Sequence, residues 1–185
     1  MTWIVIGAIV LALAGYVIAT YNGLVGMRQQ VEEAWSGIDV QLKRRYDLIP
    51  NLVESVRGYA THERGLFEEV ARARSAAANV PKGDVEGRAG AENMLGAVMG
   101  RFMAVAEAYP ELQANENFKS LMASLDDIER EVQHSRRYYN GAGRELNVKV
   151  ESFPSNLVAG QFGFKKVAYF TVDDESERAA PKVSF

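Results

Sequence analysis

Residues 3–19 read WIVIGAIVLALAGYVIA, a stretch without a charged side chain. The first charge of the 185-residue chain is carried by Arg28. A helix needs about 20 mostly apolar residues to cross the hydrocarbon core of a bilayer, and about 17 is the lower limit. Trp3 and Tyr21 flank the stretch, and aromatic side chains of this kind are enriched at the two membrane interfaces. The sequence therefore predicts a transmembrane anchor over residues 1–22.

A cleaved signal peptide is the alternative interpretation of this stretch. Such peptides begin with basic residues and have a shorter apolar core, whereas Met1 and Thr2 carry no basic side chain. The Ala-Leu-Ala at residues 12–14 resembles a cleavage site but lies inside the apolar run. We therefore expect a single-pass membrane protein that keeps its anchor.

Basic residues beyond the anchor bear on which side of the membrane the body lies. The positive-inside rule counts Lys and Arg within about 15–20 residues of the membrane end. Arg28 lies within that distance, and Lys43, Arg44 and Arg45 lie slightly beyond it. The count leans towards a cytoplasmic body and does not settle the side.

The sequence beyond the anchor carries all 21 basic and all 24 acidic side chains, for a formal net charge of −3. A mildly acidic chain is a poor candidate for general nucleic-acid binding, which depends on neutralising phosphates. The chain has no cysteine, which excludes disulfides and thiolate chemistry. The composition thus indicates an uncharged anchor joined to a water-compatible body.

Apolar residues of the body recur three and four positions apart in four segments, a spacing typical of helices that pack lengthwise. The first segment begins at Leu24, and Pro50 limits it, so we expect a kink or a break between Asp47 and Asn51. The second runs from Leu52 to Ala73 and is followed by a stop signal that ends in Pro81-Lys82-Gly83.

The third segment runs from Leu95 to Tyr109 and stops at Pro110. The fourth follows Asn115, a good N-cap residue, and continues to Phe153. Short turns between long amphipathic helices indicate antiparallel neighbours. The sequence therefore predicts an all-α fold, in which the transmembrane helix continues into an elongated antiparallel bundle of long helices over residues 23–164.

The C-terminal residues 165–185 are expected to form a short extension of this bundle. Just before it, Ser155 to Gly163 could form a short helix after Pro154. Residues 167–172 favour β-structure because they are rich in β-branched and aromatic side chains. Residues 173–185 are polar and read as an extended tail.

The sequence contains parts of catalytic and metal-binding motifs but no complete one. His62-Glu63 begins an H-E-x-x-H zinc motif, but Leu66 occupies the position of the second histidine. Adjacent carboxylates such as Glu68 and Glu69 point about 100° apart on a helix and do not converge on one substrate. We therefore expect no catalytic residue, no metal and no cofactor, and an enzyme remains the least favoured hypothesis.

A set of polar residues borders the predicted helix contacts. Glu63 falls in the apolar series of the second helix, and Asp39 and Arg45 border the apolar face of the first. Because a buried charge must be paired, two interpretations stay open: an internal salt-bridge network, or a contact with a partner helix or neighbouring subunit. The candidate residues are Asp39, Arg44, Arg45, Asn51, Glu63, Arg136, Arg137 and Asn140.

A second candidate surface combines aromatic and basic residues near the C-terminus. Its members are Phe162, Phe164, Lys165, Lys166 and Tyr169. Aromatic residues interleaved with lysines fit a membrane interface. They also fit a tail that folds back on a groove of the bundle, which is the interpretation we favour.

Several motifs in fixed order resemble the LemA family. Residues 21–63 read YNGLVGMRQQVEEAWSGIDVQLKRRYDLIPNLVESVRGYATHE, with the AWS-x-IDVQLKRR and DLIPNLVE elements. Further matches are AVAEAYPELQANENF at 104–118, RRYYN at 136–140, FPSN at 153–156, GF-x-K at 163–166 and P-x-V-x-F at 181–185. One departure is Glu145-Leu146-Asn147, where many members carry a second Tyr-Asn: Asn147 is present and the tyrosine is absent.

The resemblance implies a bacterial inner-membrane protein with an N-terminal anchor and a helical bundle, and no known enzyme activity. Some relatives are associated with magnetosome membrane formation, and others are encoded beside HtpX-type membrane proteases. Our leading hypothesis is a non-catalytic scaffold that self-assembles at the membrane as a homo-oligomer. The alternative is an adaptor that binds a membrane protein such as an HtpX-type protease, with the basic Lys43, Arg44 and Arg45 as part of its docking surface.

Overall fold

The described residues of the computed structural model are 1–60 and 62–171, and they form helices with no β-strand. The helices are α1 (Thr2–Arg57), α2 (Arg64–Ala78), α3 (Val85–Glu107), α4 (Pro110–Ala114), α5 (Glu116–Glu151) and α6 (Ser155–Gln161). The predicted all-α class is confirmed, and so is the short helix after Pro154.

The chain divides into two compact units. Unit 1 contains Met1–Val40 and Glu131–Tyr169, and unit 2 contains Gln41–Arg130 together with the described residues from Phe170 onward. The division cuts both long helices, α1 and α5. This division does not test the predicted boundaries of the anchor at residue 22 and of the C-terminal extension at residue 165, which stay predictions.

Unit 1 is built on an antiparallel pair formed by α1 and α5. The rings of Trp35 and Tyr139 pack edge to face with their centroids 5.2 Å apart. Buried residues recur every seven positions on each helix, the spacing that keeps one helical stripe on a partner helix. They are Leu24, Val31 and Ile38 on α1 and Val132, Tyr139 and Leu146 on α5.

Unit 2 is a helical bundle of the second part of α1, α2, α3, α4 and the first part of α5. A short turn connects α2 to α3, and Phe67 of α2 packs on Phe102 of α3 with ring centroids 6.3 Å apart. The α1 and α5 segments run antiparallel, as two contacts show. These contacts are Arg45 with Glu129 and Tyr59 with Asn115.

Two of the long helices, α3 and α5, begin with a side-chain N-cap. Asn115 Oδ1 accepts hydrogen bonds from the backbone N–H groups of Asn117 at 2.9 Å and Phe118 at 3.2 Å, which confirms it as the N-cap of α5. Asp84 caps α3 in the same way and accepts from Gly87 N–H at 2.9 Å. Each cap satisfies donors that have no partner within the helix.

Of the kink or break expected between Asp47 and Asn51, a break does not occur, because α1 stays helical through Pro50 to Arg57. Proline has no N–H, so the carbonyl four residues earlier loses its helical donor. That carbonyl belongs to Tyr46, and Arg74 Nε of α2 donates to it at 2.5 Å. A neighbouring helix thus supplies the hydrogen bond that the sequence of α1 cannot.

Replacing Arg74 by Met is expected to lower the free energy of unfolding by about 1–3 kcal/mol, because the Tyr46 carbonyl is left without a donor. Replacing Pro50 by Ala in the same chain restores an N–H at the exposed position 50 and should recover most of that loss. Denaturant unfolding of the detergent-solubilised protein, followed by circular dichroism, measures both. Equal stability of the single and double variants would show that Arg74 acts through another contact.

Candidate functional site

Four charged side chains and the Tyr46 phenol form a cluster in unit 2, which we call the Glu92 cluster: Arg45, Tyr46, Arg88, Glu92 and Glu129. Glu92 is 2% exposed and Arg88 is 6% exposed. Arg45 Nη1 donates to Glu92 Oε2 at 2.9 Å, and the Tyr46 hydroxyl donates to Glu92 Oε1. Arg45 also pairs with Glu129 at 2.9 Å, so one guanidinium of α1 bridges α3 and α5.

Arg88 connects the Glu92 cluster to the end of α2. Its Nη1 donates to the carbonyl of Ala77 and its Nη2 to the carbonyl of Val80, both at 3.2 Å. A buried charge must be hydrogen-bonded, and these two carbonyls provide acceptors for the Arg88 guanidinium. Arg88 thereby holds the α2–α3 turn against α3.

Tyr46 is a hydrogen-bond donor in this cluster at neutral pH. Burial, and then the adjacent Glu92 carboxylate, raise the pKa of the Tyr46 phenol well above its usual range. The hydroxyl therefore stays protonated and stabilises the buried carboxylate. With Glu92 enclosed by Arg45 and Tyr46, the arrangement is that of an internal ion-pair network.

Arg45 is the predicted polar candidate that lies in the Glu92 cluster. In the same unit, Arg44 and Asn51 are exposed. Glu63 is half-buried and lies between α1 and α2, outside the helical series in which the sequence placed it, and its side chain forms no cap hydrogen bond.

The remaining predicted polar residues belong to unit 1. Arg136 is 7% exposed and donates to Gln133 at 2.6 Å. Asp39 and Asn140 are half-buried, and Arg137 is exposed. A subunit or partner contact through these residues stays a prediction.

The sequence interpretation missed Arg88 and Glu92, although a signal for both was present. Leu95 begins the apolar series recognised in α3, and Glu92 and Arg88 precede it by three and seven positions. Those are core spacings of an amphipathic helix. Extending the series backwards would have placed an arginine and a glutamate in the interior.

Aromatic side chains gather beside α1 at the end of its apolar stretch. Tyr21 packs edge-on against Phe162, with centroids 4.9 Å apart, and against Phe164 at 5.7 Å. The guanidinium carbon of Arg28 lies 5.3 Å from the centroid of the Phe164 ring. Phe164 is buried and Phe162 is half exposed, so the chain beyond α6 folds back on α1.

The chain from residue 164 to 171 has no regular secondary structure. Its backbone is instead paired by side chains of α5: Asn147 Nδ2 donates to the Val167 carbonyl at 2.9 Å, and Val167 N–H donates to Asn147 Oδ1 at 2.8 Å. The Tyr139 hydroxyl, whose pKa burial raises, donates to the Ala168 carbonyl at 2.9 Å. These side chains provide the hydrogen bonds that a neighbouring strand would otherwise make, and residues 172–185 lie outside the described residues.

Apart from the buried Phe164, the predicted basic and aromatic residues of this region lie on the surface of unit 1. Lys165 and Tyr169 are exposed. Lys166 Nζ pairs with Glu151 Oε1 at 2.6 Å, and this hydrogen bond raises the pKa of the Lys166 ammonium.

The apolar stretch of α1 is exposed over its whole length. Within the described residues, α1 is the one helix long and apolar enough to cross a membrane, with a mean hydropathy of 2.3 and none of that window buried. Large exposed side chains there are Trp3, Ile4, Val5, Ile6, Ile9, Val10, Leu11, Leu13, Tyr16, Val17 and Ile18.

The amino-acid sequence of this chain is similar to those of several known bacterial proteins. The magnetosome protein MamQ 1 of Paramagnetospirillum magneticum is 28% identical, over 87% of this chain and 68% of its own length. The magnetosome protein MamQ of Magnetospirillum gryphiswaldense is also 28% identical, over 87% of this chain and 69% of its own length. Protein LemA of Metamycoplasma hominis is 25% identical, over 83% of this chain and 69% of its own length. None of these names denotes an enzyme.

The family model described as the LemA family matches residues 34–185. This range contains most of both units and the AWS-x-IDVQLKRR element that begins at Ala34. The chain belongs to the LemA family.

Proposed function

We propose that this chain is a membrane-anchored, non-catalytic helical scaffold that self-associates and organises a bacterial membrane. The observation that carries the proposal is the continuity of α1. Within unit 1, the exposed apolar stretch and the buried positions Leu24, Val31 and Ile38 belong to one uninterrupted helix. The anchor and the helix pair that follows it therefore move as one body.

Two further observations support this function. In the Glu92 cluster, the buried Glu92 carboxylate is paired with Arg45 and Tyr46, and Arg45 also with Glu129, as in an internal network. The MamQ relatives are named as magnetosome proteins, which agrees with the membrane organisation that the family resemblance implies.

Small residues in the anchor offer a surface for self-association. Ala8, Ala12, Gly15 and Ala19 follow one another at spacings of four, three and four, so they share one helical face. A Cβ added at Gly15 would meet no atom within 4 Å, so a second helix can approach closely there. Anchoring also raises the effective concentration of neighbouring copies, which strengthens weak lateral contacts.

The oligomeric state in mild detergent tests self-association. At micromolar concentration, light scattering coupled to gel filtration should give a defined multimer for the wild type. Replacing Ala12 and Gly15 by Leu should shift the population to smaller species, because bulk on this face separates the helices. Val10→Leu, on the opposite face of the helix, is the matched control and should leave the multimer unchanged. A wild-type protein that is monomeric throughout would contradict the proposal.

Crosslinking in native membranes separates the scaffold from an adaptor of an HtpX-type protease. Self-crosslinks support the scaffold, and a reproducible crosslink to a membrane protease supports the adaptor. Of the three basic residues proposed for adaptor docking, two are available to a partner at the surface. Lys43 and Arg44 are exposed, while Arg45 is engaged by Glu92 and Glu129.

A further inference from the structure

A groove of about 480 Å³ lies in unit 1 beside the last turns of the apolar stretch. Tyr16 and Met27 of α1 form one wall, and the end of α5 with the turn that follows forms the other. The residues of the second wall are Arg144, Glu145, Val148, Lys149, Ser152, Phe153, Pro154 and Ser155. The groove therefore lies where the predicted anchor leaves the bilayer.

The register of the α1–α5 pair places Phe153 level with Tyr21. Trp35 contacts Tyr139, and the two helices run antiparallel with the same rise of about 1.5 Å per residue. Phe153 lies fourteen residues beyond Tyr139, and Tyr21 lies fourteen residues before Trp35. Two other contacts agree with this level: Phe162 packs on Tyr21, and Tyr16 lines the groove together with Phe153.

This level is that of a membrane interface if the apolar stretch spans the bilayer, because the stretch ends at Ala19 and Tyr21 follows it. Here unit 1 presents three large apolar side chains to solvent, which we call the apolar wedge: Phe153, Leu157 and Phe162. They are 80%, 64% and 52% exposed, respectively. Large apolar side chains exposed to solvent mark a site of contact with a membrane or another protein, and the level of Phe153 and Phe162 beside the anchor favours the membrane.

Basic side chains lie on the body side of the wedge. Lys149 precedes Phe153 by four residues, so it stands about 6 Å further from the bilayer centre. Arg144 lines the same groove, and Lys165 is exposed. Of the acidic residues nearby, Glu151 is paired with Lys166 and Glu145 lines the groove, so basic groups are in excess.

We propose that the apolar wedge inserts into the headgroup region of a bilayer that contains anionic phospholipid, with Arg144, Lys149 and Lys165 facing the lipid phosphates. An apolar surface with cations just above it is the arrangement that binds anionic membranes. The inference rests on the proposed anchoring by α1 and adds a second membrane contact. Two contacts fix the rotation and tilt of unit 1, which one transmembrane helix alone leaves free.

Site-specific fluorescence in the full-length chain tests this contact, because the protein has no native cysteine. Phe153→Cys and Leu157→Cys, labelled with an environment-sensitive dye, report the wedge. Tyr138→Cys is the matched control, since it is exposed on α5 and about 22 Å further from the bilayer. Leu11→Cys reports the anchor. The protein is reconstituted into vesicles of phosphatidylcholine, with or without phosphatidylglycerol, that carry acyl-chain quenchers.

The expected result is a blue-shifted, quenched emission at positions 11, 153 and 157, and an unshifted emission at 138. Quenching at 11 with solvent-like emission at 153 and 157 would overturn the wedge and leave the anchor standing. Solvent-like emission at 11 would overturn the anchoring and the wedge with it.

Lipid charge tests the second half of the proposal. Quenching at 153 should be stronger with phosphatidylglycerol, and Arg144→Gln with Lys149→Gln should remove this difference while the anchor signal at 11 is unchanged. Equal quenching in both lipid mixtures would overturn the role of anionic lipid.

Discussion

Replacing Glu92 by Gln is expected to lower the free energy of unfolding by about 3–5 kcal/mol, the range found when one partner of a buried ion pair is removed. Glu92 is 2% exposed and accepts from both Arg45 and Tyr46. The substitution keeps the size of the side chain but leaves Arg45 and Arg88 in the interior with less opposing charge. Arg45 keeps Glu129 as a partner, so the loss should lie towards the lower end of the range.

Denaturant unfolding followed by circular dichroism measures this loss, since the described chain is helical. Glu69→Gln is the matched control, because Glu69 of α2 pairs with Arg101 of α3 at 2.5 Å in the same unit, but on the partly exposed surface. Its loss should stay below about 1 kcal/mol. Replacing Arg45 and Glu92 together by Met should recover much of the stability lost in Glu92→Gln. A Glu92→Gln effect as small as that of Glu69→Gln would show that the cluster is solvated.

Replacing Val10 and Leu11 by Asp is expected to move the chain from the membrane to the soluble fraction. Both residues lie near the middle of the apolar stretch and are exposed. An aspartate at the centre of a transmembrane helix disfavours insertion by about 2.5–3.5 kcal/mol. Two of them give about 5–7 kcal/mol, which corresponds to a change of at least about a thousandfold in the insertion equilibrium.

Alkaline extraction of membranes measures this shift, with Val10→Leu and Leu11→Val as a matched control that keeps both side chains apolar. The control should stay in the membrane pellet. Intact mass of the extracted wild-type protein adds a second readout, since a retained anchor keeps residues 1–22 and cleavage after Ala14 would remove residues 1–14. Pelleting of the Asp variant to the same extent as the control would contradict the transmembrane assignment.

Much of the helical fold was predictable from the sequence because helix formation is largely a local property. The spacing of Leu24, Val31 and Ile38 predicts a helix with one buried stripe, and all three residues are buried. Asn115 predicts the start of α5 by its ability to accept from the next turn, and it does so. Such signals depend on residues within a few positions of one another.

Pro50 shows where local reasoning stops. The rule that proline breaks a helix describes an isolated helix, in which the carbonyl of Tyr46 would have only water as a donor. In unit 2 the side chain of Arg74, 28 residues away in the sequence, reaches that carbonyl. The helix therefore continues because a neighbour satisfies the group that proline leaves unpaired.

The Glu92 cluster and the apolar wedge likewise depend partly on local sequence and partly on contacts between distant helices. The sequence alone predicted a membrane anchor, the long helices and a charged partner for Arg45, because apolar runs, helical spacing and a charge beside an apolar face are visible along the chain. Only the tertiary structure decided that this partner is Glu92, 47 residues away, and that Phe153 stands level with Tyr21. Both facts depend on the register between helices distant in sequence, which side-chain packing determines and no single segment encodes.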